Sequence, residues 1–155
     1  MACSCATITN EEWEGVELDW ENKSFYFHPM LNLLNKPINL EEKSRALKKD
    51  IASKAFEFID PRVILCEWAS FKGRLMTQIK EPLDYDASIH KFDTGKIFTT
   101  VFRGKTKNLK QAVNDFRSQV ELNHGIPVQN IYVWYAHCNR CAKAKDNVSV
   151  IFMKA

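Results

Sequence analysis

Phe25-Tyr26-Phe27-His28 and Lys96-Ile97-Phe98-Thr99-Thr100-Val101-Phe102 each open a run of strand, helix, strand and strand, so one unit is written twice in this chain. After the first opening strand, a helix is expected over residues 39 to about 58. Val63-Ile64-Leu65-Cys66-Glu67-Trp68 and Arg74-Leu75-Met76-Thr77-Gln78-Ile79 follow as strands. After the second, a helix is expected over residues 108 to about 123. Ile131-Tyr132-Val133-Trp134-Tyr135 and Val148-Ser149-Val150-Ile151-Phe152 close that unit.

Each helix has one apolar stripe. Leu40, Leu47, Ile51, Ala55 and Phe58 form the first, with Lys43, Lys48, Lys49 and Lys54 placed largely off it. Asn39 is the candidate cap, Glu41 and Glu42 suit the positive end of the helix dipole, and Asp60-Pro61 stops the helix. Leu109, Ala112, Val113, Phe116 and Val120 form the second stripe, between a cap at Asn108 and a stop at Gly125 and Pro127. The expected fold is α+β: tandem, pseudo-twofold strand-helix-strand-strand repeats making a mostly antiparallel sheet with two helices on one face.

One domain is expected over residues 1–155, with repeat one at about 24–80, repeat two at about 87–155 and an N-terminal arm over 1–22. In the arm, Trp13, Val16, Leu18 and Trp20 are interleaved with acids, which reads as an extra strand. Pro29 marks an edge or a bulge in its strand. Residues 87–92 and 95–103 read as a hairpin turning at Asp93-Thr94-Gly95.

Totals narrow the function. The apolar fraction is 45% and the charged fraction 26%, ordinary for a globular chain large enough to bury a core. A net charge of +3, with cations scattered among 19 acids, lacks the basic stripe of a nucleic-acid binder. No stretch approaches the roughly 20 apolar residues of a membrane span. The N-terminal residues have no apolar signal core. Five cysteines do not pair off into a disulfide framework, so a cytoplasmic protein is expected; a monomer or weak homodimer is the expected state.

The order of elements, the Gly95-Lys96-Ile97-Phe98 entry, the Arg103-Gly104 turn and the aromatic strand Ile131-Tyr132-Val133-Trp134-Tyr135 resemble the GyrI-like family. That is the effector-binding superfamily of multidrug-responsive regulators, and the resemblance covers residues 24–155. The ending from Tyr135 through Cys138 and Cys141 to Phe152 is similar to a stand-alone subgroup with no DNA-binding domain. The resemblance implies an aromatic cleft between the repeats that receives cationic or planar amphipathic compounds, often on a carboxylate. It also implies that some relatives hydrolyse strained, reactive toxins. The family's usual glutamate corresponds to Val133 here, and its nearby aromatic to Tyr135. Aligning the repeats on Pro61 and Pro127 sets Glu67 against Val133 and Trp68 against Trp134, which moves the carboxylate to the other half.

Glu67 stands in an apolar run, where a buried carboxylate must be paired or must hold its proton more tightly. It is a candidate counter-ion or acid-base group; a partner in Lys72 or Arg74 is the bland alternative. Trp68, Trp134, Tyr132 and Tyr135 offer ring faces to a flat or cationic ligand. Alternation, however, puts Val133 and Tyr135 on one face and Tyr132 and Trp134 on the other, so one pair belongs to the core. His28, beside Tyr26, is a candidate donor or base. Cys138-Asn139-Arg140-Cys141, with Cys3 and Cys5, offers thiolates for zinc. No phosphate-cradling glycine loop and no nucleophile elbow occur.

The expected function is therefore a small-molecule binding protein, without a cofactor, whose ligand walls are Tyr26, His28, Glu67, Trp68, Trp134 and Tyr135. A hydrolase using Glu67 with Tyr135 is the first alternative. A zinc protein through Cys138 and Cys141 is the second.

Overall fold

The computed structural model describes residues 10–136 and 148–155, so Cys3, Cys5, Cys138 and Cys141 lie outside the described residues. In chain order the elements are α1 (Asn10–Trp13), β1 (Glu17–Asp19), β2 (Ser24–Leu33), β3 (Lys36–Pro37), α2 (Leu40–Ser53), β4 (Leu65–Glu67) and β5 (Lys72–Ile79). They continue with β6 (Ile89–Lys91), β7 (Lys96–Arg103), α3 (Leu109–His124), β8 (Asn130–Tyr135) and β9 (Val148–Lys154). The fold is α+β, and among the described residues the strand ladders are antiparallel. The chain divides into two compact units, residues 20–95 on one hand, residues 1–19 with 96–155 on the other.

In the unit of residues 20–95 the strands run β4-β5-β2, with β3 and β6 on the far side of β2. In the other unit they run β8-β9-β7, with β1 on the far side of β7. The opening strand of each repeat thus pairs with its third strand, and the second strand pairs with the third from the other side. The duplication read from the sequence is a duplication of topology.

Helix α2 contacts β2 and β5, and α3 contacts β7 and β9. Leu47 and Ile51 of α2 are fully buried, as are Leu75 and Met76 of β5, while Val113 and Val120 of α3 lie under the second sheet. Each such side chain contributes about 1.5–3 kcal/mol relative to exposure in water. Trp13 of α1 stacks edge-on against Trp134 and Phe152, at 5.5 and 5.6 Å, so the aromatic arm closes over the sheet of its own unit. Its partner β1 lies along β7, and the Glu14 carboxylate extends that edge by accepting from the Thr100 hydroxyl and the Val101 N–H.

Pro29 lies within β2, and the pairing explains how. Phe27 N–H donates to the Ser88 carbonyl on the β6 side, so Pro29, two residues on, presents its nitrogen, which carries no hydrogen, to that same side. There β6 reaches only as far as Tyr26 and β3 begins only at Asn32, and no ladder bond is lost. The strand turns into β3 through Leu34 and Asn35, both at positive φ, as a two-residue hairpin demands.

Three expectations are corrected. Helix α2 ends at Ser53, so Ala55 and Phe58 are outside it. Ala55 sits at φ 59°, its N–H bonds Ala52 and the Phe56 N–H bonds Ile51, a Schellman ending that uses alanine where glycine is usual. Second, β6 pairs with β2 instead of forming a hairpin with the strand after it, so the second unit resumes at Lys96 rather than near residue 87. Third, Gly95 is a close-packing glycine: a Cβ there would lie 2.4 Å from the Glu21 nitrogen, and its carbonyl accepts the Trp20 N–H.

Candidate active site

The register of the 20–95 sheet decides which side chains can meet. Tyr26 lies opposite Thr77, and His28 opposite Leu75, which in turn lies opposite Cys66. Residues directly across antiparallel strands share a face, so Tyr26, His28 and Cys66 share the face under α2. Leu47, Asp50, Ile51 and Lys54 are spaced i, i+3, i+4, i+7, one helical stripe, so α2 and its C-cap residue Lys54 turn two charged groups toward that same face together with the two buried anchors.

They converge on one atom. Tyr26 Oη donates to Asp50 Oδ2 at 2.6 Å, and His28 Nε2 lies 2.8 Å from the same oxygen. Lys54 Nζ donates to Tyr26 Oη at 2.5 Å and to Asp86 Oδ2 at 2.9 Å, and stands 3.9 Å from Asp50 Oδ2. Asp86 is held by the Ser88 N–H on its other oxygen, at 2.8 Å. The result is a continuous network, Asp86–Lys54–Tyr26–Asp50–His28, with the Phe56 ring 5.7 Å from that of Tyr26. Tyr26 is fully buried, whereas the His28 side chain keeps 26% of its exposure. The network is therefore open to solvent at its histidine end.

The charges follow from the contacts. Hydrogen bonds from Tyr26 and then His28 hold the Asp50 carboxyl below its ordinary range, outweighing its partial desolvation. Burial, and then the bond to Asp50, push the Tyr26 hydroxyl up, so it keeps its proton. Its bonds to Tyr26 and then Asp86 push Lys54 up, and Lys54 lowers Asp86 in return. At neutral pH the site thus holds two carboxylates, one ammonium and a neutral phenol. A carboxylate only accepts, so the histidine nitrogen facing Asp50 carries the proton, and in the neutral ring the Nδ1 lone pair is left available.

The residues singled out in the sequence are distributed unevenly. Tyr26 and His28 come together. Glu67 does not join them: Cys66 shares their face, so Glu67, the next residue, turns to the opposite one. There its carboxylate pairs with Arg74 at 3.4 Å, and the guanidinium lies 5.3 Å from the Phe27 ring. Val133 lies opposite Ile151, itself opposite Thr100, on the face where α3 packs. Glu67 and Val133 thus take opposite orientations within their own units, and the alignment on Pro61 and Pro127 is displaced by one residue. Trp68 is half-buried just past β4. Trp134 is core, 5% exposed beneath Trp13, and Tyr135 is half-buried across from Ser149. Cys66 is no nucleophile, because burial pushes its thiol up to about 12.

Asp50, Lys54 and Asp86 complete the cluster, and none of them is singled out by the sequence. The signal for two of them was present: charged residues at the i+3 and i+7 positions from Leu47 belong to the sheet-facing stripe, not to the solvated side assigned to Lys54.

Among the described residues no group of three histidine, cysteine or acidic side chains is placed to hold a metal. No helix is long and apolar enough to cross a membrane. Across residues 1–155 the sequence matches the family model described as bacterial hydrolase. The chain belongs to the bacterial hydrolase family. No curated protein matches it. Family membership makes water-activating groups the first thing to look for, and the histidine–carboxylate pair on α2 and β2 has that form.

Proposed function

We propose that this protein hydrolyses small carbonyl compounds, esters first among them, with His28 as general base and Asp50 as the group that orients and supports it. The observation that carries this reading is that His28 Nε2 and Tyr26 Oη bond the same carboxylate oxygen, 2.8 and 2.6 Å away. Asp50 fixes the histidine tautomer and stabilises the imidazolium that forms when Nδ1 takes a proton. Tyr26 and Lys54 keep Asp50 ionised and in place. General-base catalysis of this kind contributes about 10²–10⁴-fold.

The step balances without a cofactor. A water oxygen bonds to the carbonyl carbon as its proton passes to His28 Nδ1, and the π pair moves onto the carbonyl oxygen. Lys54 has three N–H donors, of which Tyr26 and Asp86 take two, and the third supports that oxyanion. Collapse expels the alkoxide, which takes the proton back from His28. Carboxylic acid and alcohol leave.

The test is a panel of chromogenic esters, lactones and amides presented to wild-type protein and to His28→Asn. Turnover by the wild type that falls at least a hundredfold in the variant is expected. Absence of turnover across the panel, with thermal stabilisation by planar or cationic compounds, would replace the hydrolase with a small-molecule receptor.

A further inference from the structure

The segment of residues 81–88 carries Asp86 to Lys54 and is anchored at both of its ends. Before it, the Lys80 N–H donates to the Glu57 carbonyl at 2.8 Å, and Glu81 accepts from Lys91 Nζ at 2.8 Å and Ser24 Oγ at 3.3 Å. After it, the Ser88 carbonyl accepts the N–H of Phe27, the residue between Tyr26 and His28. Between these anchors Leu83 and Tyr85 stand wholly in water, at 102% and 92% exposure. Tyr85 immediately precedes the aspartate that grips Lys54. A loop tied to the polar cluster through Asp86 and beside it through Ser88, yet offering two large apolar side chains just before Asp86, is built to cover something apolar held at that cluster.

Charge restricts what that is. Asp50 and Asp86 are both held ionised, and the one ammonium between them is already paired to Asp86. A negative charge on the substrate's body would meet two fixed carboxylates, with the one Lys54 N–H left by Tyr26 and Asp86 already taken by the carbonyl oxygen. The substrate's body therefore carries no negative charge.

On this basis we infer that Leu83 and Tyr85 are specificity-determining residues that seat the apolar acyl or alkyl body of an ester that carries no negative charge, while its carbonyl faces His28 and Lys54. The inference rests on the hydrolase reading of that site, and it adds the substrate class.

The experiment measures two things on wild type, on the double variant Leu83→Ser/Tyr85→Ser, and on Leu122→Ser, an exposed leucine on α3 that serves as control. One is kcat/KM for esters of increasing acyl chain length, with a carboxylate-terminated chain as the anionic member. The other is calorimetric binding of the matching ketones, which cannot be hydrolysed. Wild type and Leu122→Ser should gain about threefold to fourfold per added methylene in both measurements, and should discriminate at least tenfold against the anionic chain. The loop variant should lose the chain-length gain in both. A chain-length slope unchanged in the loop variant, or equal use of the anionic chain, overturns the inference while leaving the hydrolase reading intact. Ketone binding that depends on the loop, without turnover of any ester, supports the seat and removes the hydrolase.

Discussion

Tyr26 and His28, two residues apart on β2, are hydrogen-bonded to the same oxygen of Asp50, at 2.6 and 2.8 Å. Alternation along the strand puts both side chains on the face under α2, and the helix delivers the carboxylate one turn beyond its buried anchor Leu47. Neither contact needs a long loop or an unusual backbone. The site is a product of the same strand–helix packing that forms the core.

Asp50 links stability to acid. Its folded-state pKa is depressed, so its contribution is present above the ordinary carboxyl value of 3.8 and is lost as pH falls through the lower folded value. Asp50→Asn should cost about 1 kcal/mol at pH 7, the worth of charged hydrogen bonds discounted for partial exposure. The difference from wild type should shrink below pH 3.8. Denaturant melts at pH 7, 4 and 3 measure it, and a gap that widens on acidification would refute the assignment.

Glu67→Gln separates the two faces of the sheet. Its carboxylate pairs with Arg74 away from His28, and both side chains keep some exposure. Ester turnover should stay within a factor of two of wild type, and stability within about 1 kcal/mol. A hundredfold loss of turnover would return Glu67 to the catalytic role its apolar neighbours suggest.

Ala55→Gly should stabilise the protein. Ala55 holds φ 59° at the end of α2, a conformation that costs an L side chain roughly 1–2 kcal/mol and glycine far less. Part of that gain is offset because glycine loses more chain entropy on folding. A rise of about 1 kcal/mol in chemical denaturation is expected; a fall would mean that the alanine methyl makes packing contacts worth more than the strain.

The repeat was legible because each level of the sequence agrees with the next: apolar strands, a helical stripe, then two more strands, twice over. Strand β1 and the placing of Pro29 were legible for similar local reasons. The end of α2 was not, since nothing at residues 54–56 resembles a helix stop, and it is Ala55 that adopts the turn glycine would ordinarily supply. Two members of the candidate cluster were legible too: Tyr26 and His28 stand out as alternate polar-tipped residues on an apolar strand. Asp50 and Lys54 were hidden among the many charges of α2. Asp86 was hidden because it meets Lys54 across 32 residues of sequence, a tertiary contact that no local pattern encodes. Glu67 misled because prolines in two loops of different shape are poor markers of strand register, and one residue of slip reverses a side chain.

The central claim is that His28 and Asp50 act as one catalytic unit. A double-mutant cycle on kcat/KM for a single chromogenic ester tests it, using wild type, His28→Asn, Asp50→Asn and the double variant. The account predicts that either single change removes most of the activity and that the second removes almost nothing further, as happens for residues that work together. Losses that multiply, or a His28→Asn variant as active as wild type, would contradict it.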